Sequence, residues 1–219
     1  MNRLLKLINF EFNRIFKFLG AMVAGVVLLQ MIGTAVISFQ YMSDIQFELN
    51  RGMTEDYITR NHGQLSFSRV IYSLWFNGPI FLSIAFVSLY IFLIWYRDWF
   101  GKNTFIYRLL MLPTERIHLY VAKLCTILLM TLSFVAVQLI ALPLEIRLMR
   151  WIVPEPYYIE TTVREALVNH IDLGILFPGS FTEFVLWYGL GIIAVAVIFT
   201  AILFERAYRL WGIGMGIGY

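Results

Sequence analysis

The sequence predicts an all-α integral membrane protein. Three observations carry that expectation. Hydrophobic residues make up 60% of the 219-residue chain and charged residues only 14%, against roughly 45–50% and about 25% in soluble domains. The apolar residues gather into long runs without charge rather than alternating, which argues for helices over strands. Mean hydropathy is +0.74. A soluble fold of this size would need a charged surface that these residues cannot supply.

A spanning helix needs about 20 mostly apolar residues. Four charge-free windows meet that length, between Lys17 and Asp44, Arg69 and Arg97, Lys123 and Glu145, and Glu183 and Glu205. They place spans at about 18–40, 70–96, 122–144 and 184–204. A further apolar run, 210–219, reads as the start of a fifth span, and the natural chain is expected to continue past Tyr219. The absence of a Pro/Ser-rich linker or of an internal repeat argues for a single transmembrane domain, 1–219.

Residues 1–17 precede the first span. Leu4, Ile8, Phe12, Ile15 and Leu19 recur at helical spacing, with Arg3, Lys6, Asn13, Arg14 and Lys17 largely elsewhere. The pattern predicts an amphipathic interfacial helix, with its cations beside anionic lipid, over a plain extension of the first span. Within that span, Gly20/Ala24 and Ala21/Gly25 form small-xxx-small pairs, and Gly33 follows. Such residues let helices approach closely. Gln30, Asn77 and Gln138 are polar residues inside apolar windows, a setting that favours helix–helix hydrogen bonds over substrate contacts.

Charge between the windows sets an expected orientation. Stretches 1–17, 97–123 and 205–210 hold 11 Lys or Arg and 4 acids, whereas 40–69 and 145–183 hold 6 and 10. The positive-inside rule then puts the N-terminus and 97–123 in the cytoplasm and the two acidic loops outside. The segment 97–123 reads RDWFGKNTFIYRLLMLPTERIHLYVAK. Asp98 or Asn103 is placed to cap a short amphipathic helix over 104–112, which Pro113 ends. Outside, 162–173 predicts another short amphipathic helix. The Gly/Pro-containing run 172–181 reads as a surface loop in preference to a re-entrant one.

No catalytic pattern emerges. The run Gly101-Lys102-Asn103-Thr104 lacks the preceding glycine of a phosphate loop, with Tyr96 in its place, and Asn103 interrupts the Lys–Thr pair. His62, His118 and His170 lack metal-ligand spacing. The one cysteine, Cys125, permits no disulfide within the chain. Despite an isoelectric point near 9.0, the basic residues edge apolar runs and build no nucleic-acid face.

The cytoplasmic segment resembles that of the permease subunits of type-2 ABC exporters. The residues that carry the likeness are Gly101 and Thr104, the run Leu109-Leu110-Met111-Leu112-Pro113-Thr114-Glu115-Arg116, and Ala122-Lys123-Leu124, behind an amphipathic N-terminus. The match is similar in layout over the chain and in motif over about twenty-five residues. It departs at Phe105-Ile106-Tyr107, where the family often has an acid, and in showing four spans and a fragment where the family usually has six. The resemblance implies a permease of the bacterial plasma membrane. It would pair with a second permease chain, alike or different, and with a separate ABC ATPase that binds ATP and Mg; this chain would hold no cofactor. Thr104, Phe105, Tyr107, Arg108, Leu109, Leu112, Pro113 and Arg116 would form the coupling helix that docks the ATPase. The expected cargo is a peptide antibiotic or another amphipathic compound. The competing expectation is a membrane sensor or accessory subunit that binds partners and moves nothing.

Overall fold

The computed structural model describes residues 3–100, 115–168 and 171–208. Among these, every regular element is a helix: α1 (Arg3–Asn50), α2 (Glu55–His62), α3 (Phe67–Ile71), α4 (Leu74–Phe100), α5 (Arg116–Ile152), α6 (Val163–Val168), α7 (Ile171–Leu176) and α8 (Phe181–Tyr208). Four of them, α1, α4, α5 and α8, are long and apolar enough to cross a membrane. Three of the four predicted spans fall wholly within one of these helices, and the second falls on α4 from Leu74 onward. The expected fifth run, 210–219, lies outside the described residues.

Two lengths differ from expectation. At 48 residues, α1 is about 72 Å long, more than twice a hydrocarbon core of roughly 30 Å. Residues 3–17 are its first turns and not a separate element. The second window is also cut short at its start. Ser66 caps α3 through a hydrogen bond from the Ser68 N–H to its hydroxyl. The chain then breaks at Tyr72 and Ser73 before α4 begins, and the Asn77 amide donates across the break to the Ile71 carbonyl at 2.8 Å.

Contacts divide the chain into two compact units. Unit 1 holds the start of α1 through Gly20, α4 from Ile84, α5 through Ser133, and α8. Unit 2 holds the rest of α1, α2, α3, the first turns of α4, α5 from Phe134, α6 and α7. Much of α8 is apolar yet uncovered: Phe181 is 81% exposed, and Leu190 and Ile193 are also open. Apolar side chains on a helix surface suit lipid, which replaces the charged coat of a soluble protein.

Unit 2 packs around Ile45, Leu65, Phe67, Phe76, Leu142 and Met149, all nearly fully buried. A single parallel bridge joins Leu65 to Tyr158, with Leu65 N–H donating to the Tyr157 carbonyl at 2.8 Å and Ile159 N–H to the Leu65 carbonyl at 3.0 Å. From α1 the Tyr41 hydroxyl reaches the carbonyls of Gly63 at 2.7 Å and Tyr157 at 3.1 Å. Gln30 and Gln138 share a hydrogen bond of 3.2 Å, and the same Gln30 amide donates to the Phe76 carbonyl. They are the helix–helix bond their setting predicts.

Of the predicted packing residues, Gly33 alone is pressed against a neighbouring helix: a Cβ placed there would overlap the Trp75 side chain. A Cβ on Gly20 or Gly25 meets nothing of this chain within 4 Å, and Ala21 and Ala24 are exposed. Of the expected helix over 162–173, α6 and the start of α7 are among the described residues, and 169 and 170 lie outside them. Thr162 and Glu165 form a capping box before α6, the Thr162 N–H donating to the Glu165 carboxylate at 2.9 Å and the Glu165 N–H to the Thr162 hydroxyl at 3.3 Å.

Two outcomes follow. Gly33→Ala should destabilise the protein by about 1–3 kcal/mol through overpacking, read as a lower Tm in detergent. The Thr162 backbone N–H, and then its hydroxyl, hold the Glu165 carboxyl below the usual glutamate value. The box therefore stabilises α6 fully above that usual value, and the contribution is lost as pH falls through the lowered one. Hydrogen exchange of the α6 amides should accelerate across that acid window, and Glu165→Ala should remove the step.

Candidate functional site

The described residues place one cluster of buried charge in unit 1, at the ends of the helices that flank 101–114. Glu11 of α1, Asp98 of α4 and Lys123 of α5 are each fully buried. Helical spacing explains Glu11. Leu7, Glu11, Ile15 and Leu19 stand four residues apart, and all are buried, so the acid occupies the middle of a stripe that turns inward. Asp98 lies three residues from Trp95 and four from Ile94, both buried. It is therefore an inward-facing residue of α4, and the capping role expected for it before 104–112 is corrected.

Lys123 organises the cluster. Its ammonium donates to Glu11 Oε1 at 3.0 Å, to Asp98 Oδ2 at 2.5 Å and to the Ile94 carbonyl at 2.8 Å. All three protons thus have acceptors. The ammonium also lies 5.1 Å from the centre of the Trp95 ring. Each acid has a second cation. Arg97 Nη2 donates to Glu11 Oε2 at 3.0 Å, and Arg14 Nη1 to Asp98 Oδ1 at 2.8 Å. These arginines are 29% and 27% exposed. Three cations face two carboxylates, a net charge of +1, and the surplus sits on side chains that reach outward.

Aromatic and polar contacts extend the cluster to α8. Trp95, Tyr120 and Phe199 form a triangle with ring centres 5.5–6.5 Å apart. The Tyr96 hydroxyl donates to Glu205 at 2.6 Å, and the Tyr120 hydroxyl to the Ala196 carbonyl at 3.0 Å. The Arg206 guanidinium lies over Tyr96 and Trp99. The geometry offers ionic cross-linking of three helix segments, α1, α4 and α5, with polar and aromatic contacts to α8. It presents no nucleophile–base pair, and no metal-holding group of three or more His, Cys, Asp or Glu occurs among the described residues.

Of the residues predicted to dock a partner, Thr104, Phe105, Tyr107, Arg108, Leu109, Leu112 and Pro113 lie outside the described residues, and Arg116 begins α5. Sequence reasoning missed Glu11. The signal was available in its position between Leu7 and Ile15, but the apolar stripe was drawn through Leu4, Ile8 and Phe12, which are only partly buried. Glu145, read as the far edge of a window, is also fully buried. It belongs to unit 2, and neither carboxylate oxygen has a hydrogen-bond partner among the described residues. No family model, curated protein or solved structure matches the chain.

The two buried acid environments predict opposite responses. Lys123→Met leaves Glu11 to Arg97 and Asp98 to Arg14 but takes the donor from one buried oxygen of each acid, so it should destabilise the protein by about 1–3 kcal/mol. Glu145→Leu removes a buried polar group without stranding a partner, so it should be neutral or stabilising. Thermal melts of both variants in the same detergent check the contrast.

Proposed function

We propose that the chain is the membrane-spanning permease subunit of an ATP-driven ABC exporter and carries out no chemistry itself. The observation that supports this reading is the ionic clamp at the base of 97–123. Asp98 near the start of that segment and Lys123 at its end are joined directly, and both are tied to α1 through Arg14 and Glu11. A segment that receives a push from a soluble motor must deliver it to several spans at once, and a stiff ionic base does so. In this reading 104–112 is the coupling helix, with Phe105, Leu109 and Leu112 as apolar knobs and Arg108 as a charged contact. The N-terminus and 97–123 face the cytoplasm, and a second permease chain packs along Gly20, Ala21, Ala24 and Gly25. Cargo of amphipathic character fits spans that are apolar and aromatic.

The decisive experiment separates docking from folding. Burial of one large apolar side chain is worth about 1.5–3 kcal/mol, so Phe105→Ala or Leu109→Asp should weaken ATPase docking roughly ten- to a hundred-fold. Membrane insertion should be unchanged, and substrate-stimulated ATP turnover should be lost. Co-purification of the co-expressed ABC ATPase, measured beside insertion, reads both; normal binding and stimulation in both variants would remove the coupling role from this loop, and failure of the wild-type chain to co-purify with the ATPase would favour the accessory-subunit reading instead. For orientation, a cysteine at Thr54 in a Cys125→Ser background should react with an impermeant maleimide from outside intact cells. Gly25→Leu should weaken assembly of the permease pair without lowering the Tm of the single chain.

A further inference from the structure

The end of α5 carries a second constellation of charge, in unit 2 and independent of the transport reading. Between Lys123 and Glu145 lie 21 residues without charge. As helix they measure about 32 Å, close to the roughly 30 Å of a hydrocarbon core. The cations that follow, Arg147 and Arg150, therefore emerge at the depth of lipid headgroups. The face of α5 that leads to them is bare. Ile140 is 66% exposed, Leu144 is open as well, and Trp151 beyond them is 84% exposed. Residues 140, 144, 147 and 151 follow the spacing of a single helix face. An apolar stripe that ends in an arginine and a tryptophan is the sequence of environments from acyl chain to headgroup.

Beside that face is an open cleft of about 360 Å³, between Pro143, Arg147 and Arg150 of α5 and Thr161, Thr162 and Val163 of the facing segment. At about 30 Å³ per water, that is the space of about a dozen waters, enough for a phosphate and part of its ester. The two guanidiniums are three residues apart, about 5–6 Å between their Cβ atoms on a helix. Arg147 has no ion pair or hydrogen bond among the described residues. Arg150 donates from Nη2 to the Thr161 carbonyl at 3.0 Å, lies 3.5 Å from Glu160, and leaves Nε buried without a partner. Glu160 is 77% exposed, so that pair is weak and readily exchanged. Glu165, the nearby acid, is committed to the Thr162 N–H. Positive charge with unused planar donors remains, and guanidinium matches phosphate oxygens in a bidentate fork.

We propose that this cleft holds the phosphate of an anionic phospholipid headgroup between Arg147 and Arg150, with the acyl chains along the Ile140–Leu144 face. The ligand chemistry is a phosphate ester, and the bilayer is its source. The bound lipid would brace the end of α5 against the segment that carries α6.

Native mass spectrometry of the full chain in detergent, titrated with phosphatidylglycerol or phosphatidylcholine, tests this. The wild type should hold its first phosphatidylglycerol at least roughly tenfold more tightly than phosphatidylcholine, the scale of one charge-assisted hydrogen bond. Arg147→Gln, which removes no contact within the chain, should abolish that preference, and Arg147→Gln/Arg150→Gln should do so as well. Lys6→Gln/Lys17→Gln, which alters exposed cations near the N-terminus, should keep it. Undiminished preference in Arg147→Gln and in the double variant, or equal loss in the Lys6/Lys17 control, overturns the site. Displacement of the lipid by millimolar inorganic phosphate, with a rise in Tm that needs Arg147, would retain the phosphate site but overturn the bilayer as its source.

Discussion

A buried ammonium ion with three protons must find three acceptors, and Lys123 finds them on two other helices. Glu11 comes from α1, and Asp98 and the Ile94 carbonyl come from α4. Much of unit 1 follows from that requirement. The two carboxylates depend on the cation in turn, since each would be left with one buried oxygen unanswered if it left. Each carboxylate has a second oxygen to satisfy, and Arg14 and Arg97 supply the donors while their remaining surface stays partly open. Long side chains make this division possible, with charge paired inside and the excess +1 carried outward. The Trp95 face lies beside the ammonium and also packs on Phe199 and Tyr120, so the ionic and aromatic parts of the unit share one residue.

Unit 2 is held by different means. Its inter-helix bonds are neutral, from Gln30 to Gln138 and from Tyr41 to two carbonyls, and its hydroxyls largely satisfy themselves. Thr34 bonds the Gln30 carbonyl, Ser38 the Thr34 carbonyl and Ser83 the Pro79 carbonyl. Back-bonding of this kind lets a small polar side chain enter an apolar interior without a partner on another helix. Gly33 then admits Trp75 to the surface of α1, and the Leu65–Tyr157 backbone bonds close the end. Glu145 is the exception, a buried acid with no hydrogen-bond partner among the described residues. Ionisable groups inside membrane helices are costly and tend to mark function, which sets Glu145 apart from the paired acids of unit 1.

The spans were legible because length and lack of charge suffice to define them, although the second begins only after the break at Tyr72 and Ser73. The short helices α2 and α3 were harder, since the segment between them is fixed by the pairing of Leu65 with Tyr157, far along the chain, and not by a periodicity of its own. The clamp was illegible for a more specific reason. A span read from hydropathy treats every charge as an edge, so Arg97 and Lys123 became boundaries of windows, and Asp98 fell outside them, when all three lie within helices that run on. Glu11 was hidden by its neighbours: four cations around it made 1–17 look like a surface helix. What the sequence did hold was the combination, one acid at the i, i+4 spacing of buried leucine and isoleucine, with an acid and a lysine at opposite ends of one connecting segment.

Ionic pairing at this position has a mechanical consequence that apolar packing would lack. Apolar contacts slide, because dispersion and water exclusion depend weakly on direction. A buried carboxylate shared between a lysine and an arginine does not slide, because a small displacement exposes charge to a low-dielectric surround and the energy rises steeply. The ends of 97–123 are thus constrained to move with α1 or not at all. For a chain proposed to receive its work from outside the membrane, that constraint turns a local push into a common displacement of α1, α4 and α5. It also explains why the charges are placed inside, where salt and headgroups cannot screen them, and not on the exposed side of the same helices, where the pairs would contribute little.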